Sequence, residues 1–359
     1  MRTPGTDYEF ELRLPKREYS EPRNEADYYG AASLIAEKHG LNPLQPPMPR
    51  AAWTHFPIPD WMKPQVPYDL YGHRTFAVPK ALRPVLIPNL SSEIFMRQYG
   101  YRSAFAVGAP FAYALGYSRR RITGSRLVMP EHTLSYIRYS EHSSVTVQKL
   151  IRFILNTRDA YSLTVFCLHP DDVRKGLWPK ELNKAGIPWV AGAERFDLNA
   201  LRRMVALMSQ FEEVLTNNLG SHIVYGWQLG CNVRFATIGT MHDAASLSGT
   251  DLIKNHPLGA KALDVKLSAL SSQELDVIGK KYGMVGPALS PEIYAQLASE
   301  ALGLASLKTN EEMVDLLGWR KISRTWLISK VCTHDRLARA IVRKVRIKLN
   351  ERTHPKTPS

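Results

Sequence analysis

From residue 126 to residue 236, short apolar runs alternate with longer stretches in which apolar residues recur at helical spacing. The short runs predict buried strands, and the longer stretches predict helices. Because β and α elements that alternate at this spacing form a parallel sheet with helices on both faces, this part of the chain is predicted to be α/β. Strands are predicted at 126–129, 162–168, 189–190, 211–215 and 232–236, and helices at 144–156, 198–209 and 222–229.

The first 120 residues follow a less regular pattern. Residues 1–24 are charged and contain prolines, which predicts a poorly ordered lead-in. Eight prolines within residues 41–70 exclude long regular elements there, and the aromatic residues among them are interpreted mainly as packing for that loop. Strands are predicted at 75–78, 84–87 and 104–107, and helices at 26–39 and 91–99.

Length and composition indicate more than one domain. A chain of 359 residues, 44% of them hydrophobic, can form two cores. The basic run Arg119-Arg120-Arg121 lies between the two patterns described above. We therefore predict one domain at 1–120, a second at 121–318 and a basic tail at 319–359.

The net charge of +14 is concentrated in that tail. Residues 319–359 contain twelve Lys or Arg and two acidic residues, which gives +10 and leaves +4 for the rest. Binding to the phosphate backbone of a nucleic acid uses basic residues spread along a face. Nucleic-acid binding is therefore a disfavoured alternative, and no nucleic-acid partner is expected.

Residues 336–349 of the tail predict a basic amphipathic helix. Apolar residues recur at every fourth position, and arginines occupy the other face. Two roles stay open for this helix. It docks on the N-terminal domain through its apolar face, or it contacts an anionic membrane surface through its basic face.

The expected location is the cytoplasm, with peripheral attachment to the inner membrane left open by the tail. No apolar run reaches the length of a membrane span, and no signal peptide is recognised. The three cysteines form no CxxC pair, which argues against a disulfide framework and a zinc site. Cys167 and Cys231 are interpreted as buried apolar residues.

Polar or glycine-containing loops follow four of the predicted strands, at 130–133, 169–174, 191–192 and 216–222. In a parallel sheet the strand ends meet at one edge, where loop amides and a helix N-terminus bind anions. The same residue types are also ordinary helix caps. The four loops together predict a site for a phosphate-bearing ligand, formed by His132, Thr133, Pro170, Arg174, Gly192, Asn217, Asn218, Gly220, Ser221 and His222.

Five motifs between residues 95 and 236 occur in a fixed order: G-A-P-F-x-Y, P-E-H-T, H-P-x-D-x-R, A-G and T-N-N-x-G-S-H. In this order they resemble GT-B glycosyltransferase-like proteins encoded with capsule and O-antigen assembly. The His169-Pro170 pair and the serine at the helix start are also similar to the HP and Ser motifs of bacterial sialyltransferases. The resemblance implies two Rossmann-like domains of the GT-B type, with an acceptor-side domain at 1–120, a donor domain at 121–318 and the donor cleft between them.

The resemblance also implies a reaction. In those families the HP histidine and the serine loop hold the phosphate of a CMP-sugar. It therefore implies a nucleotide-sugar donor, with a CMP-linked acid as one candidate, and a saccharide or lipid-linked acceptor. No cofactor is implied, because the nucleotide-sugar is a substrate. Since the sequence contains no Asp-x-Asp triplet, we expect a metal-independent mechanism.

The catalytic base stays open. The acidic D/E-D/E-G motif of the sialyltransferases is not found at its N-terminal place, and the capsule relatives' aromatic-His-Gly motif is here Trp53-Thr54-His55-Phe56. The candidates are His55, Asp60, His73 and Glu131, and His55 is preferred because its loop is expected to face the cleft. His169 is expected to stabilise the leaving nucleotide.

The favoured hypothesis is an inverting glycosyltransferase that acts on a cell-surface polysaccharide or lipid-linked acceptor. Two alternatives use the same scaffold. One is the transfer of another activated group, such as glycerol phosphate, and the other is a non-catalytic protein that has lost the base.

Overall fold

The computed structural model describes residues 11–21, 25–54, 84–98, 101–132, 141–239 and 271–320. The predicted strand at 75–78 and the predicted tail helix at 336–349 lie outside these residues. Within the described part of the chain, no helix is long and apolar enough to cross a membrane.

The first part of the chain forms a parallel three-stranded sheet surrounded by short helices. Its elements are a 3-10 helix at Glu25–Gly30, then α1 (Ala31–Lys38), β1 (Ala52–Trp53), β2 (Val85–Ile87), α2 (Leu90–Gln98), β3 (Ala104–Ala106) and α3 (Pro110–Tyr113). The strand order is β1-β2-β3, and Leu86 of the central strand pairs with Trp53 and Phe105. The strands predicted at 84–87 and 104–107 are thus present.

The second part forms a five-stranded parallel sheet, which confirms the predicted α/β fold. Its elements are β4 (Ile122–Met129), α4 (Glu141–Asn156), β5 (Leu163–Leu168), α5 (Pro170–Lys175), α6 (Leu177–Ala185), β6 (Trp189–Ala191), α7 (Ala200–Met208), β7 (Phe211–Thr216), α8 (Ser221–Gln228) and β8 (Asn232–Phe235). The strand order is β6-β5-β4-β7-β8. The chain therefore adds strands on one side of β4 and then on the other, so the crossover direction reverses between β4 and β7.

Apolar side chains from the strands account for the core of this sheet. Val128, Phe166 and Leu215, from three adjacent strands, pack in one cluster with Leu150 of α4 and Trp178 of α6, and all five are almost completely buried. Burial of a large apolar side chain contributes about 1.5–3 kcal/mol. The apolar runs that predicted the strands are therefore the same residues that hold the helices to the sheet.

Two packing roles expected from the sequence are confirmed. The indole Nε1 of Trp53 donates a hydrogen bond to the carbonyl oxygen of Gly108 at 3.1 Å, and its ring meets Tyr113 edge to face. Trp53 therefore anchors the described part of the proline-rich segment, and the other aromatic residues of that segment, Phe56, Trp61 and Tyr68, lie outside the described residues. Cys167 and Cys231 are buried free thiols.

Three further helices, for which the sequence analysis makes no prediction, follow the five-stranded sheet. They are α9 (Ser272–Lys281), α10 (Pro291–Leu302) and α11 (Asn310–Leu316). The amide of Ala109 donates to the carbonyl oxygen of Leu302 at 2.8 Å, and a Cβ at Gly303 would lie 1.8 Å from the carbonyl oxygen of Pro88. The end of α10 therefore packs backbone to backbone against the loops that follow β2 and β3.

Residues 11–21 lie against the loop between β6 and α7, instead of forming the poorly ordered lead-in expected for 1–24. The amide of Leu198 donates to the carbonyl oxygen of Glu18 at 2.7 Å, and the amide of Glu18 donates to the Asp197 carboxylate at 3.0 Å. Asp197 is completely buried and lies 3.6 Å from the Arg203 side chain. Hydrogen bonds of this kind order a segment that forms neither helix nor sheet.

We expect Asp197→Ala to lower the free energy of unfolding by about 3–5 kcal/mol, because it leaves the buried Arg203 guanidinium without its carboxylate. The control is Asp276→Ala, which removes an exposed ion pair with Lys280 and should cost no more than about 1 kcal/mol. Urea denaturation measures both variants. A similarly small loss in the two variants would show that Asp197 does not hold the N-terminal segment.

Candidate functional site

The four loops predicted at strand ends share one edge of the five-stranded sheet. Strands β4 to β7 run parallel, and Met129 pairs with Thr216 while Leu168 pairs with Ala191. The loops that follow these residues therefore leave the sheet on the same side, which we call the carboxyl edge. Open α/β sheets bind ligands at such an edge, where the crossover direction reverses.

The buried side chain of Asn217 joins three loops at the carboxyl edge. Its Oδ1 accepts a hydrogen bond from the Glu131 amide, and its Nδ2 donates to the carbonyl oxygen of Gly239, each at 2.9 Å. Asn217 is completely buried, and Glu131 is 1% exposed. The structure thus gives Asn217 a role in fixing the loops after β4, β7 and β8.

His169 begins helix α5 and is neutral at physiological pH. Its Nδ1 accepts a hydrogen bond from the Asp171 amide at 3.2 Å, and Pro170 occupies the first helical position. Burial, and after it the neighbouring His132, lower the pKa of His169 to about 3. Because Nδ1 accepts, the ring hydrogen resides on Nε2, which is the atom that can donate to a ligand.

Three histidines lie at this edge: His132 follows β4, His169 caps α5 and His222 is in the first turn of α8. The rings of His132 and His169 are stacked, with their centroids 4.6 Å apart. The Nε2 of His222 lies 2.9 Å from Oγ1 of Thr216, and burial lowers the pKa of His222 to about 4, with a further contribution from His132. His169 and His222 can therefore serve as hydrogen-bonding groups at pH 7 without carrying charge.

Helix α8 begins at the carboxyl edge with no side-chain cap. Gly220 precedes it in an extended conformation, and a Cβ there would lie 2.7 Å from Nδ1 of His222. A side chain at Gly220 would therefore displace the histidine. Asn218 accepts a hydrogen bond from the Leu219 amide at 2.7 Å, which shapes the turn before Ser221.

Gly192 is required by packing at the end of β6. Its amide donates to the carbonyl oxygen of Leu168 at 2.7 Å, and a Cβ would lie 3.0 Å from Sγ of Cys167. A side chain at Gly192 would therefore require the Cys167 side chain to shift by a few tenths of an ångström. Gly192 therefore lets the loops after β5 and β6 approach one another.

Arg174 belongs to a group of ion pairs on the rim of the edge. Its guanidinium lies 2.5 Å from the Asp171 carboxylate and 2.7 Å from the Glu194 carboxylate. Hydrogen bonds to these two carboxylates raise the pKa of Arg174. Its charge is therefore already balanced within the protein.

Two tyrosines from the N-terminal segment also reach the carboxyl edge, and the sequence analysis does not identify them. The Tyr29 amide donates to the Arg195 carbonyl oxygen at 2.8 Å, and the Arg195 guanidinium lies 5.1 Å from the centroid of the Tyr28 ring. Tyr29 has φ 57 and ψ 17, a left-handed conformation that is uncommon for a bulky residue. The one local sign of this conformation in the sequence is Gly30 after the two tyrosines. Arg195, on the loop that they contact, follows Gly30 by 165 residues.

The remaining predicted site residues lie outside the described part of the chain. They are His55, Asp60, His73 and Thr133. Among the described residues, Glu131 is therefore the one remaining candidate for the catalytic base.

No known protein family matches the sequence, and no curated protein matches it. Three solved structures similar to this chain are UDP-GlcNAc 2-epimerases. The enzyme from Neisseria meningitidis, bound to UDP-GlcNAc, is 11% identical with a TM-score of 0.40, over 80% of this chain and 72% of that one. A second such enzyme is 12% identical with a TM-score of 0.37, over 81% and 70% of the two chains. The enzyme from Methanocaldococcus jannaschii is 11% identical with a TM-score of 0.36, over 81% and 74%. At these TM-scores the similarity assigns neither a family nor a reaction.

The lowered pKa of His222 leads us to expect that stability depends on pH. Between pH 6.5 and about 4 the unfolded chain binds a proton at this residue, whereas the folded protein does not. The free energy of unfolding should therefore fall as the pH falls through this window, by up to about 1.4 kcal/mol per pH unit from this group.

His222→Gln should flatten this dependence, because glutamine does not titrate. The control is His39→Gln, which changes an exposed histidine at the end of α1. Urea denaturation at pH 7, 6 and 5 measures the slope in each variant. A slope in His222→Gln as steep as in the wild type would contradict the assignment.

Proposed function

We propose that this protein binds a nucleotide-linked sugar at the carboxyl edge and transfers the sugar to a saccharide or lipid-linked acceptor without a metal ion. The observation that carries the proposal is the meeting of His132, His169 and His222 with the uncapped start of α8 at the point where the crossover direction reverses. Hydrogen-bond donors and a helix N-terminus together form an environment suited to a phosphate.

The chemistry requires stabilisation of the negative charge that develops on the leaving nucleotide. The Nε2 hydrogen of His169 and the amides at the start of α8 are suited to this task, because both are held in place before the ligand arrives. The dipole of α8 favours an anion at the same end. The proposal therefore assigns the phosphate to the space between α5 and α8.

The acceptor hydroxyl must also lose a proton as the new bond forms. Glu131 is the candidate base at the carboxyl edge, since it directly precedes His132 and its amide is fixed by Asn217. His55, Asp60 and His73 are the other candidates. A variant of the true base should retain nucleotide binding and lose transfer.

Thermal denaturation in the presence of CMP, UDP, GDP and inorganic phosphate tests the binding step. We expect one nucleotide class to raise the melting temperature, because a ligand that binds the folded state stabilises it by mass action. The class that does so names the donor nucleotide. If none of them raises the melting temperature, the proposal is wrong.

Two substitutions at His169 separate its cap from its ligand contact. His169→Asn retains an acceptor for the Asp171 amide and should leave stability nearly unchanged, whereas His169→Ala should cost about 0.5–2 kcal/mol of stability. Both variants lose the Nε2 donor. Both should therefore reduce turnover by about 2–4 kcal/mol of transition-state stabilisation.

The measurements are steady-state kinetics and urea denaturation of the same preparations. Normal turnover in His169→Asn, together with slow turnover in His169→Ala, would show that His169 acts through the helix cap alone.

We also propose that the basic tail binds anionic lipid, since the acceptor is expected to be lipid-linked. Neutralising Arg339, Arg343 and Arg346 should release the protein from anionic liposomes, because each basic residue near the surface contributes about 1 kcal/mol. Nucleotide binding and melting temperature should not change.

Liposome flotation measures the effect, and replacement of the apolar residues Leu337 and Ile341 by Ala is the matched comparison. A loss of stability in buffer after that replacement, with liposome binding unaffected by the arginine changes, would favour docking.

A further inference from the structure

Two arginines lie close enough to His169 to oppose its protonation, Arg174 and Arg195. They differ in what surrounds their charge. Arg174 forms ion pairs with both Asp171 and Glu194, as described above. Among the residues that the structure describes, no carboxylate forms an ion pair with Arg195. Arg195 thus retains a positive charge that a phosphate can neutralise.

The side chain of Arg195 is held by two aromatic residues. Its guanidinium lies over the ring of Tyr28, and its positive charge is close enough to the Tyr29 phenol to act against the rise in the pKa of that phenol. Burial raises the pKa of the Tyr29 phenol above its ordinary value, although Arg195 opposes that shift. The phenol therefore remains neutral at pH 7 and orients the guanidinium without cancelling its charge.

The backbone places Tyr29 at this position with little freedom. Tyr29 and Gly30 are consecutive residues with φ of 57 and 77. A Cβ at Gly30 would lie 1.9 Å from the carbonyl oxygen of Leu198, so the segment is pressed against the loop that carries Arg195. A bulky residue in a left-handed conformation is often found where the surrounding structure fixes a functional group.

Tyr29 also connects Arg195 with the two helices that the proposed site uses. Electrostatic interactions link Tyr29 with Asp171 of α5 and with Tyr225 of α8. Glu194, the neighbour of Arg195 in the chain, pairs with Arg174 of α5 at 2.7 Å, so the loop that carries Arg195 lies beside α5.

We propose that Arg195 binds the phosphate of the nucleotide donor, and that Tyr28 and Tyr29 are positioning residues for its guanidinium. This inference rests on the proposed function and deepens it. Arginine is well suited to the role, because its planar guanidinium can bind a phosphate through two hydrogen bonds at once. The sequence analysis assigned this role to Arg174.

The test compares Arg195→Gln with its matched control Arg174→Gln in calorimetric binding of the nucleotide that raises the melting temperature, of the corresponding nucleoside, and of pyrophosphate. Arg195→Gln should weaken binding of the nucleotide and of pyrophosphate by about 10- to 100-fold, the range for a hydrogen bond between charged groups. Nucleoside binding and melting temperature should stay as in the wild type. Arg174→Gln should change nucleotide binding by less than about threefold.

Two conservative variants separate charge from position. Arg195→Lys should recover part of the affinity, because it restores the charge without the two parallel hydrogen bonds. Tyr29→Phe should weaken nucleotide binding by a few-fold and leave nucleoside binding unchanged. Equal weakening of nucleotide and nucleoside binding in Arg195→Gln would overturn the inference, because the residue would then be structural.

The outcomes also distinguish this inference from the proposed function. If the wild type binds a nucleotide and Arg174→Gln abolishes that binding while Arg195→Gln does not, the inference is wrong and the function stands. If the wild type binds pyrophosphate through Arg195 but no nucleotide, the function is wrong and the anion site stands. If the wild type binds neither, both are wrong.

Discussion

A buried amide must have hydrogen-bond partners, and this requirement at Asn217 determines the shape of the carboxyl edge. Its two hydrogen bonds reach the loops after β4 and β8, while its own backbone belongs to the loop after β7. Leaving the buried Glu131 amide unsatisfied would cost about 1–3 kcal/mol. The three loops therefore hold one another in place before any ligand binds, which is the condition for stabilising a charge without reorganisation.

The N-terminal segment completes this edge from outside the sheet. A left-handed conformation at a residue such as Tyr29 costs about 1–3 kcal/mol, so other contacts must maintain it. Glu18, which precedes Tyr29 by eleven residues, supplies such contacts through its hydrogen bonds with Asp197 and Leu198. The hydrogen bonds of Glu18 thus help to maintain the strained backbone of Tyr29, which lies next to Arg195.

The sequence predicts the parts of the fold that depend on local pattern. Strands such as Leu163–Leu168 were predictable because their apolar runs are buried on both faces, and the loops at their ends followed from chain direction. Helices α10 and α11 carry caps at Ser290 and Thr309, and α10 has the buried apolar residues Tyr294, Ala298 and Leu302 at helical spacing, so the local pattern was sufficient to predict them although the sequence analysis did not. The pairing of Arg174 with Glu194 and of Tyr29 with Arg195 depends on contacts between distant segments, which spacing along the chain does not encode.

The docking of residues 11–21 has a consequence for how the chain folds during synthesis. Their hydrogen-bond partners, from Ala191 to Gln210, follow 174 to 198 residues later. At about 5–20 residues per second, a ribosome needs about ten seconds or more to make the intervening chain. During that time Leu12 and its neighbours have left the ribosome without the surface that buries them. Residues 11–21 therefore reach their native contacts long after they are synthesised, and a chaperone can bind them in the interval.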